Sequence, residues 1–159
     1  TPSDNSVTAQ PATPPNNTPH NNKTPQQQPS VDPGAAAPDI NKSQVEELAD
    51  HARIHFPYNS TQKVKDPTID AYLSRLARQL IDQGGAVTLT GHTDNVGDPK
   101  TNDAFAMRRA KNIRDILIEK GVPRKQIICK SSGEREPIAT NDNPQGRYKN
   151  RRVEVRVRQ

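Results

Sequence analysis

The stretch Ala86-Val87-Thr88-Leu89-Thr90-Gly91-His92-Thr93-Asp94-Asn95-Val96-Gly97, with the segment from Asn102 to Lys120 behind it, decides how this chain folds. Residues 86–90 are apolar or β-branched and read as a strand that runs straight into Gly91. A polar loop follows, from His92 to about Thr101. From Asn102 to Lys120, Ala106, Ala110, Ile113 and Leu117 recur at three- and four-residue steps, the stripe of a helix packed on one side. Gly121 and Pro123 end that helix.

Toward the N-terminus, Asp66-Pro67 offers a helix cap followed by proline at the first helical position. Ile69, Tyr72, Leu73, Leu76, Leu80 and Ile81 then mark an apolar face, and Gly84-Gly85 closes the helix. Arg53-Ile54-His55-Phe56 alternates and reads as a strand stopped by Pro57. Ahead of it, Val45, Leu48 and Ala52 predict a short leading helix over Ser43–Ala52. Toward the C-terminus, Ile127 to Lys130 is a third strand, Ser131 to Asn150 a long loop, and Val153, Val155 and Val157 alternate with charged residues as a half-buried strand. The order β-α-β-α-β-loop-β predicts an α+β fold, a small α/β sandwich with helices packed on a mixed four-stranded sheet.

Nine of the 15 prolines fall between Pro2 and Pro38, in a stretch rich in Asn, Gln and Thr whose only charges are Asp4, Lys23 and Asp32. Too few apolar side chains are present to offset an ordering entropy of about 1–2 kcal/mol per residue. Residues 1–38 are therefore expected to form a disordered linker, reaching roughly 120 Å at ~3.3 Å per residue when fully stretched. Residues 39–51 are expected to hold the leading helix, and 52–159 the domain.

The domain is basic. Residues 39–159 carry 22 Lys and Arg against 16 Asp and Glu, a balance that suits an anionic partner but does not choose one. A nucleic-acid surface would need stacking aromatics beside the C-terminal cluster Arg147, Lys149, Arg151, Arg152, Arg156 and Arg158, and Tyr148 is the only one there. No nucleic-acid partner is expected. A single cysteine, Cys129, rules out an intrachain disulfide. No apolar run approaches a membrane span, so any anchor is expected upstream of Thr1.

Enzyme signatures are missing. His92 has no partner at metal-ligand spacing and reads as a loop-stabilising hydrogen bonder, and no phosphate-cradling loop or nucleophile motif occurs. Neither metal nor cofactor is expected. Asp94 and Arg109 carry the chemistry instead. A strand-loop-helix hairpin brings the loop back over the start of the helix, so the two can converge on one shallow pocket suited to a zwitterion: carboxylate to ammonium, guanidinium to carboxylate. Spacing equally allows an ordinary Asp94–Arg109 salt bridge.

Gly91-His92-Thr93-Asp94-Asn95-Val96-Gly97, Asn102, Arg109-Ala110 and Asn150-Arg151-Arg152-Val153-Glu154 resemble the signature of the OmpA-like, or MotB-type, C-terminal domain. The likeness covers about residues 52–159, with Ile54-x-Phe56 at its opening and Glu136 to Asn141 before the last strand. Pro57 stands where that family commonly has Asp, which puts a loop contact in doubt. Phe105-Ala106 and Ser131-Ser132-Gly133 depart as packing variants.

The resemblance implies a periplasmic domain that binds the peptide stem of peptidoglycan without a covalent bond, centred on diaminopimelate. Asp94 would take the ammonium and Arg109 the carboxylate. Asn102 would cap the second helix and contact the stem, Arg151 would add a contact, Thr93 would shape the loop, and Asn59 sits where the first loop approaches the ligand. It also implies a cell-wall anchor for a membrane protein: a stator-like subunit of a flagellar motor or ion-driven secretion complex, with an inner-membrane partner subunit and a homodimer. The same domain in an outer-membrane porin or lipoprotein, or one that has lost wall binding, remains open.

Overall fold

In the computed structural model, which describes residues 36–159, the expected α+β architecture is present. The strands are β1 (Gln44–Glu47), β2 (Ala52–His55), β3 (Ala86–His92), β4 (Ile127–Gly133) and β5 (Arg152–Arg158); the helices are α1 (Pro67–Gln83), α2 (Pro99–Glu119) and α3 (Pro144–Asn150). Residues 1–35 of the expected linker lie outside the described residues.

The strands form one sheet in the order β1-β2-β5-β3-β4. β3 and β4 run parallel, joined through α2, and the other pairs are antiparallel. Val87, Leu89, Val153, Val155, Ile54 and Ala52 meet Leu73, Leu76, Leu80, Ile113 and Leu117 of the helices in a single buried core. Each buried aliphatic side chain contributes about 1.5–3 kcal/mol.

α1 follows the sequence closely. Asp66 caps it, its carboxylate accepting from the N–H groups of Thr68 (2.9 Å) and Ile69 (3.1 Å), and Gly84 at φ 75° ends it. Ile81 departs from the expected face and is exposed; neighbours a hundred degrees apart around a helix cannot both sit mid-stripe, and Leu80 takes the place.

Three expectations need correction. The leading helix over Ser43–Ala52 is a strand: β1 pairs antiparallel with β2 through a turn in which Leu48 N–H donates to the His51 carbonyl (2.8 Å). Val45 packs on the core while Glu46, on the other face, accepts from Arg53 and pairs with His55. The period there is two, and β1 adds a fifth strand to the sheet. α2 begins three residues before Asn102, because Asp98-Pro99 repeats the cap used by α1, Asp98 accepting from Thr101 N–H at 2.9 Å. The loop to Asn150 contains α3, capped by Asn143, whose side chain accepts from Gly146 N–H at 2.7 Å.

Candidate functional site

The site lies at the carboxyl end of β3. The pairing of β3 with β4 shifts between Gly91 and His92, leaving an extra residue on β4. Such an irregularity re-aims the chain as it leaves the sheet. Gly91 faces α2 so closely that a Cβ there would overlap the Ala106 carbonyl. The absent side chain lets the first turns of α2 close over the loop from Thr93 to Gly97.

A hollow of about 190 Å³ forms between that loop, α2, the turn after β2 and the residue preceding β5. Thr93, Asp94, Asn102, Arg109, Arg151 and Asn59 all line it. The six residues singled out from sequence are thus brought together. Tyr58, Val96, Gly97, Thr101 and Phe105 also line it; Phe105, in sequence a packing variant, thus faces the hollow.

The ion pair is not the one that spacing suggested. Asp94 Oδ2 accepts from Arg151 Nη1 at 2.7 Å, and Asp94 Oδ1 accepts from Val96 N–H at 3.1 Å. Arg151 Nε donates to the Phe56 carbonyl (3.1 Å), and its guanidinium lies between the rings of Tyr58 and Tyr148. Arg109 instead donates to two carbonyls, Ser60 (2.9 Å) and His92 (3.4 Å), over the Phe56 ring. Among the described residues it meets no carboxylate within salt-bridge distance. Asp94, Arg109 and Arg151 are all buried, at 4%, 2% and 6% exposure. The hollow therefore holds two guanidinium groups and one carboxylate. Burial, then the charge of Arg151, push the Arg109 guanidinium down to about 10, an effect that Asp94 offsets in part.

Asn102 does not cap α2, since Asp98 does. From the first turn its amide donates to the Asp94 carbonyl (3.4 Å) and to Glu134 (2.6 Å). Thr93 donates its backbone N–H to the Gly133 carbonyl (2.8 Å), while its hydroxyl is buried without a partner among the described residues. Asn59 adopts φ 57° in the turn after Pro57, a conformation asparagine tolerates better than most residues.

His92 points to the face away from α2, beneath the loop carrying Glu136. Its ring is 2% exposed and forms no hydrogen bond among the described residues, with Glu136 at 3.9 Å. It is not the hydrogen bonder expected. Burial and the charge of Arg152 push its imidazole down to about 4. The C-terminal basic cluster is largely spoken for: Arg152 pairs with Glu154, and Arg147 donates to the Asn141 carbonyl.

The profile of the OmpA family matches residues 55–151, more than half the chain and the whole of this hollow. The chain belongs to the OmpA family. It is 34% identical over 131 residues to the peptidoglycan-associated lipoprotein of Pseudomonas putida, covering 80% of this chain and 79% of that protein. It is 44% identical over 71 residues to the peptidoglycan-binding protein ArfA of Mycobacterium tuberculosis, where the match takes in 45% of this chain but 22% of ArfA, so the chain spans about a fifth of that relative's length. Among solved structures, it resembles the periplasmic domain of Helicobacter pylori MotB at 27% identity and TM-score 0.54, covering 72% of this chain and 80% of the other. The cell wall anchor of the type VI secretion system from Pseudomonas aeruginosa is similar at 27% identity and TM-score 0.55, with 73% and 87% covered.

Proposed function

We propose that this OmpA-family domain binds peptidoglycan non-covalently in the periplasm, gripping the free end of diaminopimelate in the stem peptide. One observation carries the reading: a hollow that buries Arg109 with no carboxylate partner among the described residues, beside an Asp94 that keeps acceptor capacity beyond its bond to Arg151. A buried cation in that state favours an incoming carboxylate, and a carboxylate oxygen accepts more than one donor. The orphan hydroxyl of Thr93 and the amide of Asn102 add polar contacts, while Arg151 and Asn59 shape the wall. The relatives named for peptidoglycan support the same assignment.

In this reading the domain anchors a membrane protein to the wall, its N-terminal 38 residues acting as the tether. The likeness to MotB and to the type VI anchor supports a stator-like or secretion-complex subunit, and in this proposal it acts as a homodimer beside an inner-membrane partner. The longer match to the peptidoglycan-associated lipoprotein supports the alternative of an outer-membrane lipoprotein with the same domain. Co-sedimentation with purified sacculi tests the binding itself. The wild-type domain is expected in the pellet, and folded Asp94→Ala and Arg109→Ala variants in the supernatant. Equal sedimentation of all three would remove the site.

A further inference from the structure

We propose that Glu134 is a positioning residue that locks the Asn102 amide so its carbonyl oxygen faces the pocket, making Asn102 a second acceptor for the ligand's ammonium beside Asp94. This rests on the pocket being the peptidoglycan site. The two groups met by the Asn102 nitrogen are the Asp94 backbone carbonyl and the Glu134 carboxylate. A carbonyl and an ionised carboxylate accept hydrogen bonds and do not donate them. The amide orientation is thereby fixed by chemistry: Nδ2 uses both protons on these acceptors, and Oδ1 must face the other way. That oxygen lies 3.8 Å from the Cβ position of Gly97, another residue lining the hollow, and accepts no hydrogen bond among the described residues.

Glu134 is brought there by a turn built for the purpose. Gly133, at φ +52°, lies so near the start of α2 that a Cβ would stand 2.7 Å from Asp103 Oδ1. Arg135 then clamps the turn, donating to Asp103 (2.7 Å) and to the Ser131 carbonyl (3.1 Å), while the Ser131 hydroxyl donates to Asp103 (2.9 Å). Glu134, half-buried between these anchors, reaches Asn102 at 2.6 Å. Without it, the Asn102 amide has one acceptor left and is free to turn over, presenting a donor where the ammonium needs an acceptor. Asp94 and Asn102 are then the acceptors of the hollow, and Arg109 and Arg151 its donors.

The test uses calorimetric titration of the whole chain with two ligands: a stem tripeptide ending in diaminopimelate, and the same peptide with the side-chain amine acetylated. The wild type is expected to prefer the free amine. Glu134→Ala should weaken free-amine binding about ten- to a hundredfold, the scale of one hydrogen bond to a charged group, while leaving the acetylated peptide unchanged. Glu134→Gln, whose amide oxygen still accepts from Asn102, should stay within about twofold of wild type by the same reasoning. Glu134→Ala binding the free amine like wild type, or weakening both peptides equally, would overturn the inference alone. Wild-type protein that binds neither peptide would overturn the proposed function and this inference with it.

Discussion

Arg109→Met is expected to abolish sacculus binding and leave the domain as stable as before, or more so. Burial and Arg151 hold the Arg109 guanidinium at about 10, well below its ordinary value. At 1.36 kcal/mol per unit, the fold disfavours this charge by about 3 kcal/mol. Against that stand the hydrogen bonds to the Ser60 and His92 carbonyls, the second of them long, together about 1–3 kcal/mol. Methionine keeps the unbranched stem over Phe56 and suits the middle of a helix. The balance runs from about zero to 2 kcal/mol in favour of the variant, an order-of-magnitude figure from the same two principles. Urea unfolding followed by circular dichroism gives the stability, and co-sedimentation gives the binding. A structural arginine this deeply buried behaves oppositely, losing about 3–5 kcal/mol when its pairing is broken. Destabilisation beyond about 2 kcal/mol, or a variant that still sediments with the wall, would refute the view of Arg109 as an unpaired ligand-binding cation.

Asp94→Ala should lose binding and also about 3–5 kcal/mol of stability, because Arg151 is left buried without its partner; a variant with wild-type urea midpoint contradicts that. Gly91→Ala forces α2 away from the sheet and should lower stability by about 1–3 kcal/mol while weakening ligand binding, since Asn102 and Arg109 ride on that helix. Unchanged unfolding and binding would show that the close approach is dispensable. For His92, the native imidazole titrates near 4 and the unfolded one near 6.5, so between those values the unfolded state binds more protons. The resulting stability is complete above pH 6.5 and is lost, up to about 3 kcal/mol, as pH falls toward 4. In His92→Gln that component of the pH dependence should disappear, and parallel stability curves for the two proteins between pH 7 and 4 would argue against it.

The helix starts show what local sequence carries. Asp66-Pro67, Asp98-Pro99 and Asn143-Pro144 are the same device, a capping side chain followed by proline, and all three open helices. The first is followed at once by an apolar stripe, beginning at Ile69, which makes its start legible. The second is hidden because α2's buried face begins with Asn102, a polar residue. α3 offers buried Gly146, Tyr148 and Asn150 rather than an aliphatic stripe, and hides in a loop rich in proline and glycine. β1 is hidden for a different reason. Four residues hold one inward side chain, Val45, and what makes them a strand is the ladder with β2, a tertiary fact. At the site, Asp94 and Arg109 were legible as neighbours because one loop separates them. The pairing of Asp94 with Arg151 joins residues 57 apart across the middle of the sheet, and no local pattern encodes it.

That pairing gives the pocket a lopsided character. Asp94 is already paired with Arg151 before any ligand arrives, whereas Arg109 relies on two backbone carbonyls and has its charge only partly offset by Asp94. The two ends of a zwitterion are then unequal here. Its ammonium joins an existing pair and shares Asp94 with Arg151, so its loss returns the aspartate to a partner it already has. Its carboxylate supplies the second negative charge that two guanidinium groups call for, and taking it away leaves Arg109 offset only in part by Asp94 in a site where screening by water is weak. The hollow's excess positive charge thus makes the carboxylate the dominant handle and the ammonium the discriminating one. Arg109 contributes most to holding a ligand, and the acceptors Asp94 and Asn102 add the selectivity for a free ammonium.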